Sequence, residues 1–189
     1  MSTPTSTQRS TPVERLPASQ RREQTLAAAS AVFARQGYHG ATTERIAQAA
    51  GISQPYVVRM FGSKETLFLA VVEQCLDTVL DAFQSALIAE EPRSVGARLG
   101  GAYRDLAQAD GVHLIVMQAY VLGADPVIGP VARAGFARIL SFLIEDAGMS
   151  NREAEQFLAQ GMLINTLLGL RLQEHPGTHV TQLVESVLA

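Results

Sequence analysis

A single cysteine, Cys75, in 189 residues allows no intrachain disulfide, so packing alone must hold the fold. Its neighbours are leucines and valines, the setting of a small buried hydrophobe rather than of a reactive thiol. No apolar run approaches the roughly 20 residues that a membrane-crossing helix needs. The N-terminus is polar, with no apolar segment behind its charges, so the expectation is a cytoplasmic protein with no membrane partner. Period-two alternation is missing as well, and with it any clear strand. Catalytic signatures are equally scarce: there is no G-x-S-x-G elbow, no phosphate loop and no H-E-x-x-H pair, and Cys75 has no catalytic context. The only close histidine pair, His175 and His179, is four apart, but Pro176-Gly177 breaks the helix that would align it on a metal. No catalytic residue, metal site or cofactor is expected.

What is present is apolar residue in quantity. With 47% hydrophobic and 17% charged residues, the chain can build one or two compact domains with a real core. Charge is divided unevenly along it. Up to Lys64 there are eight Lys/Arg against three acids, a net of +5, and from Glu65 onward seven Arg against fifteen acids, a net of -8. A basic end on an acidic body is the pattern expected when one end meets a polyanion.

Residues 1–17, rich in Ser, Thr and Pro and without hydrophobic period, read as a flexible tail in which Arg9 and Arg15 are spare phosphate contacts. From Ala18 the period is helical. Leu26, Ala29 and Phe33 set a first helix over about 19–36, with Ser19 as N-cap and Gly37 as the stop. Thr42 caps a second, short helix that ends at Gly51, with Glu44 in its first turn and Ile46, Ala47 and Ala50 turned inward. Ser63 caps a long helix whose apolar pairs run from Leu67/Phe68 to Val79/Leu80, followed by Phe83 and Leu87. Further helices are predicted at about 94–109, 112–123, 126–147, 151–173 and 178–188, with Asp125-Pro126 and a Ser150/Glu153 capping box as punctuation. The fold class is all-α, with about nine helices.

Between the second helix and Ser63 lies AGISQPYVVRMFGSK, a helix built from poor helix formers. Two short helices joined by a glycine turn, the first carrying a small Ala47 at the close approach, describe a helix-turn-helix. Pro55 is tolerated in the first turn behind Ser53, whose side chain is expected to cap the amide of Tyr56. Val57 and Phe61, four apart, point at the core. Gln54, Pro55, Tyr56, Val58 and Arg59 remain for the major groove, where Gln pairs with adenine, Arg with guanine and an apolar side chain with a thymine methyl.

The run TTERIAQAAGISQPYVVRMFGSKETLF, behind an amphipathic helix, resembles the DNA-binding domain of the TetR/AcrR family of bacterial transcriptional regulators. The likeness spans Arg21 to Ala70 and rests on Gly37, Thr42, Ile46-Ala47, Ala50-Gly51, Ser53, Phe61 and Ser63-Lys64-Glu65. It implies an N-terminal three-helix DNA-binding domain (18–64) and a larger helical ligand-binding and dimerisation domain (65–189). It also implies a homodimer on a double-stranded DNA operator and a small-molecule effector of unknown identity. Thr42 and Lys64 fall on positions that contact phosphates, and Ser53, Gln54, Pro55, Tyr56, Val58 and Arg59 on the recognition helix; Thr43 and Arg45, beside the Thr42 cap, complete the DNA-binding candidates. The chain departs from the family at Val58, where a backbone-gripping tyrosine is usual, and Tyr56 is the candidate replacement.

The C-terminal part is less informative. Gly161 and Gly169, eight apart, suggest close helix approach, either across a dimer or within the chain. Polar groups in apolar helices, Tyr103, His113, Gln118, Tyr120 and Asn165, are candidates for orienting a ligand, with Met117 and Phe136 as apolar wall; each also reads as an ordinary hydrogen-bonded or packed core residue. Two readings follow: a ligand-released transcriptional repressor, and a helical small-molecule carrier or sensor that no longer reads DNA. The intact Arg59 and Lys64 favour the first.

Overall fold

The computed structural model describes residues 17–175 and 177–188, without the side chain of Asp110. The tail expected before Pro17, with Arg9 and Arg15, and the proline of Pro176-Gly177 lie outside the described residues. Among the described residues there are nine α-helices and no strand: α1 (Ala18–Gly40), α2 (Thr43–Ala50), α3 (Gln54–Phe61), α4 (Lys64–Ile88), α5 (Val95–Asp110), α6 (Val112–Val121), α7 (Ile128–Ser141), α8 (Asn151–Gly169) and α9 (Thr178–Leu188). Among the described residues no helix is long and apolar enough to cross a membrane.

α1 starts at Pro17, whose carbonyl accepts from the Arg21 amide at 3.0 Å. Ser19 therefore lies inside the first turn and is not the cap. The helix is nominally continuous to Gly40, but Gly37 has φ 72 and ψ 165, a conformation essentially confined to glycine. Regular helix thus ends where the sequence places its end, and the break turns Tyr38 back onto Phe33 and Phe68. α2 follows Thr42, which accepts from the Arg45 amide, and closes on Gly51 in the left-handed region.

α3 turns Val57 and Phe61 inward as expected. Ser53 occupies the cap position but makes no side-chain cap bond; the Tyr56 amide donates instead to the Ser53 carbonyl at 3.0 Å. α4 is capped by Ser63, which accepts from the Thr66 amide at 3.0 Å. Its buried stripe, Leu67 to Phe83, is the one read from the pairing of apolar residues.

α4 is the axis of the molecule. Its first turns pack on α1 and α3, and its body on α5, α6 and α7. The crossing with α7 is close at a glycine: a Cβ at Gly135 would stand 2.2 Å from Leu76 Cδ1, so buried Leu76 would have to shift to admit it. α8 covers α5 and α6 and carries α9. One buried cluster runs without interruption from Leu26 in α1 to Val187 in α9.

Two helices are shorter than their apolar patterns predict. The segment expected over 126–147 is regular only over Ile128–Ser141 and continues as a π-turn, Phe142–Asp146, closed by the bond from the Ala147 amide to the Phe142 carbonyl. Asp125 still starts it, accepting from the amides of Val127 and Ile128 at 2.8 and 2.9 Å. α8 stops at Gly169 because Arg171 adopts φ 53, and its guanidinium pairs with Glu174 in the short 3-10 turn that follows.

Candidate nucleic-acid interface and ligand pocket

The exposed face of α3 is set by what its other face buries. Val57 is 1% exposed, whereas Val58, one position along the helix, is 38% exposed beside exposed Pro55 and Arg59. Half-buried Gln54 is steadied from below: its Nε2 donates to Thr43 Oγ1 at 3.2 Å, tying the start of the recognition helix to α2 and leaving one amide proton and the amide oxygen for other partners. The Arg59 guanidinium lies 4.8 Å from the Tyr56 ring centroid, a cation–π pair that pre-orders both side chains on the same surface.

Cations flank this face. Arg45 donates to Gln36 Oε1 at 2.7 Å and to the Gly40 carbonyl at 3.2 Å, so it braces the turn after Gly37. Lys64 donates to the Tyr38 carbonyl at 2.9 Å and sits 4.6 Å above the Tyr38 ring. An ammonium has three protons, and the bond to Tyr38 uses one. Lys64 is thereby pinned at the N-terminus of α4, where backbone amides favour an anion. At the N-terminus of α2, the Glu44 carboxyl is held below its ordinary range by its own amide and by the Thr42 hydroxyl. Thr42, Ser53, Arg45 and Arg59 are all exposed, and Thr43, Tyr56 and Lys64 half-buried.

The second feature is an apolar pocket lined by α4, α5, α6, α7 and α8, with Val79, Phe83, Val116, Ile139 and Phe157 among its walls. Four of the seven ligand candidates, Tyr103, Tyr120, Phe136 and Asn165, meet there. Its polar wall is one bond: the Tyr103 hydroxyl donates to Asn165 Oδ1 at 2.6 Å. Burial pushes the Tyr103 hydroxyl up to about 12, so it remains a neutral donor. Burial also raises Tyr120, whose ring makes an edge contact with Phe136 at 6.0 Å. At about 60 Å³ the cavity has room for about two waters. A drug-sized molecule needs several times more.

Three candidates lie elsewhere. Gln118 is structural: Nε2 donates to the Phe33 carbonyl at 2.9 Å, joining α6 to α1. It and Met117 face a shallow groove against Gln36–Gly40. His113 is 6% exposed near the α5–α6 junction, with Nδ1 making no hydrogen bond to another described residue and its pKa lowered by burial. The pocket residues that the sequence did not single out, Phe83 and Phe157 above all, carry no polar signal that would have set them apart from core. Among the described residues no three His, Cys, Asp or Glu side chains converge as a metal site would require.

Gly161 and Gly169 face their own chain. A Cβ would lie 3.9 Å from the Tyr103 ring at Gly161 and 3.9 Å from Leu114 at Gly169, ordinary contacts within the chain, and Gly169 is itself exposed. The exposed large apolar side chains of this region are Met162 on α8, Leu170 just after it and Leu183 on α9.

Comparison with known proteins points the same way as the geometry. Residues 26–71 match the family of bacterial regulatory proteins described as the tetR family. The HTH-type transcriptional activator FasR of Mycolicibacterium smegmatis is 44% identical over 73 residues, which cover 39% of this chain and 33% of FasR. The HTH-type transcriptional repressor AcnR of Corynebacterium glutamicum is 32% identical over 106 residues, 56% of this chain and 53% of AcnR. The chain thus spans between a third and about half the length of these relatives. The crystal structure of a TetR-like transcriptional regulator from Rhodococcus sp. RHA1 superposes with a TM-score of 0.66 at 20% identity, covering 92% of this chain and 96% of that one. At that identity the likeness is one of fold.

Proposed function

We propose, from the premise that the chain belongs to the tetR family of bacterial regulatory proteins, that it is a transcriptional repressor. It binds a palindromic operator as a homodimer and leaves when a small apolar or amphipathic molecule opens the pocket. The matched relatives are DNA-binding regulators, not enzymes. The observation that carries the reading is the α3 surface: Pro55, Val58 and Arg59 are exposed, with half-buried Gln54 and Tyr56 beside them, on a helix whose buried face is Val57 and Phe61.

In this reading Arg59, Gln54 and Val58 address base edges, and Thr42, Lys64, Arg45 and the Tyr56 hydroxyl address phosphates. One α3 covers one major groove, so a second copy is needed at a spacing of about 34–36 Å. Met162 on α8, Leu170 just after it and Leu183 on α9 supply an apolar surface on which two copies can close a two-fold dimer. Occlusion of a promoter by such a dimer requires no further protein contact, and the relative matched over the longer stretch is a repressor. Its place of action is the cytoplasm, with the chromosome.

Release follows from the small size of the pocket. A ligand fits only if its walls part, and two of them, Val79 and Phe83, belong to α4. The N-terminus of the same helix is tied to α1 through Lys64. Parting the walls swings that end and with it the spacing of the two α3 helices. By linkage DNA must weaken the ligand as much as the ligand weakens DNA, with couplings of about 1–3 kcal/mol.

The test is a mobility shift with the DNA upstream of the chain's own gene, alongside light scattering. A dimer that shifts this DNA is expected. A monomer at micromolar concentration, or binding of apolar probes with no DNA binding, would leave the carrier reading in place of this one.

A further inference from the structure

A second cleft opens between α5 and α8 on the outer side of the apolar pocket. Its volume is about 340 Å³, and Tyr103, Phe157 and Gly161 line both spaces. Two rings, Tyr103 and Phe157, therefore form the partition. Both rest on Phe83, with centroids 6.3 and 5.6 Å away. Glycine stands behind each of them: a Cβ at Gly100 would lie 4.0 Å from Phe157 and one at Gly161 would lie 3.9 Å from Tyr103. These are ordinary contact distances, so close packing does not demand glycine at either position, although glycine is a weaker helix former than alanine. What the missing Cβ atoms provide is room for the two rings to move.

The outer cleft differs from the pocket in charge. Arg93 and Arg104 line it, with Gln160 as a further donor, and no carboxylate is among its lining residues. Arg93 is held in an exposed pair with Glu91, which a better-placed anion can displace. Arg104, half-buried, has no hydrogen bond or ion pair to another described residue. A cationic vestibule thus leads through an aromatic partition into an uncharged, apolar chamber.

We propose that the effector is an amphipathic anion: an apolar chain passes between Tyr103 and Phe157 into the chamber, and an anionic head stays in the cleft on Arg93 and Arg104. This rests on the reading of the pocket as an effector site and adds the chemistry of the head and the route of entry. A guanidinium pair matches the planar oxygens of a carboxylate or the oxygens of a phosphate ester.

The experiment is calorimetry on the full-length protein with three probes of equal chain length: dodecanoate, dodecyl phosphate and dodecanol. Wild type is expected to bind one anionic probe per protomer at least about tenfold more tightly than dodecanol, and whichever anion binds better identifies the head. In Arg93→Gln/Arg104→Gln this preference should fall to within about twofold while dodecanol affinity holds. Arg104→Lys, which keeps the charge, should retain part of the preference and guards against a merely structural effect. Equal binding of dodecanol and both anions by wild type would overturn the anionic head but leave the pocket standing. A double variant that keeps the preference would overturn the seating of the head on Arg93 and Arg104 and with it the proposed route of entry. If none of the three probes binds wild type, the pocket itself is not an effector site and both readings fall.

Discussion

Replacing Tyr103 by phenylalanine removes one oxygen and tests whether the single polar bond in the pocket wall is a real constraint. The hydroxyl donates to Asn165 Oδ1 at 2.6 Å, with Tyr103 9% and Asn165 4% exposed. Without it the amide oxygen is left buried and without that donor, which costs about 1–3 kcal/mol. For a chain of this length each kcal/mol lowers the melting temperature by about 2–4 °C, so the expected fall is about 2–12 °C. Asn165→Leu orphans the hydroxyl instead and should cost a similar amount. The double variant Tyr103→Phe/Asn165→Leu removes both partners and should recover much of the loss, giving a coupling energy of about 1–3 kcal/mol in the cycle. Because burial holds the Tyr103 hydroxyl up at about 12, the difference between wild type and Tyr103→Phe should be flat from about pH 7 to 9. Thermal unfolding of the four proteins measures all of this. An unchanged melting temperature for Tyr103→Phe, or strictly additive losses in the cycle, would refute the reasoning.

Three further outcomes are expected. On the α3 surface, Arg59→Ala should relax preference at one operator base at a cost of about 1–3 kcal/mol, whereas Tyr56→Phe should weaken all sequences alike and Val58→Ala only those carrying the contacted thymine; anisotropy titrations against single-base operator variants separate the three. Gly135→Ala should destabilise by about 1–3 kcal/mol in a denaturant melt, since the new Cβ would stand 2.2 Å from Leu76 Cδ1 and overpacking outweighs the helix-propensity gain. The His113 imidazole is buried and its pKa lowered, so on acidification the unfolded chain takes up a proton before the native one does. Stability is therefore complete above the ordinary histidine range near 6.5 and declines as pH falls below it, and His113→Phe should flatten the melting temperature between about pH 7 and 5.

Caps and periods make several helix starts legible in the amino-acid sequence. Thr42, Ser63 and the Ser150/Glu153 box each name a helix start because a side-chain oxygen, or an oxygen and a carboxylate, must answer orphan amides at a fixed offset. Val57 and Phe61 fix the buried face of α3, and by exclusion the outer one. Ser19 and Ser53 fail as side-chain caps because serine is common near helix starts whether or not it bonds there, and the backbone around Pro17 and Ser53 supplies acceptors instead. The ends of α7 and α8 are hidden for a different reason: a π-turn keeps the apolar pattern going, and a left-handed arginine carries no glycine-like signal.

The pocket is half legible. α6 is apolar nearly all round, so the pattern does not say which of His113, Met117, Gln118 and Tyr120 faces a cavity. Only Tyr120 does so with Tyr103, Phe136 and Asn165. Phe83 and Phe157 cannot be told from core, because the difference between a core ring and a pocket ring is an empty space beside it.

The central claim is that two copies of α3 read one operator, and selection from random duplexes of about 30 base pairs with the full-length protein, followed by sequencing, tests it most directly. The account predicts an enriched inverted repeat whose half-sites lie about one helical turn apart, centre to centre, with Arg59→Ala selecting the same repeat degenerate at one position in each half. A pool that enriches no sequence, or a single half-site with no symmetric mate, would contradict it.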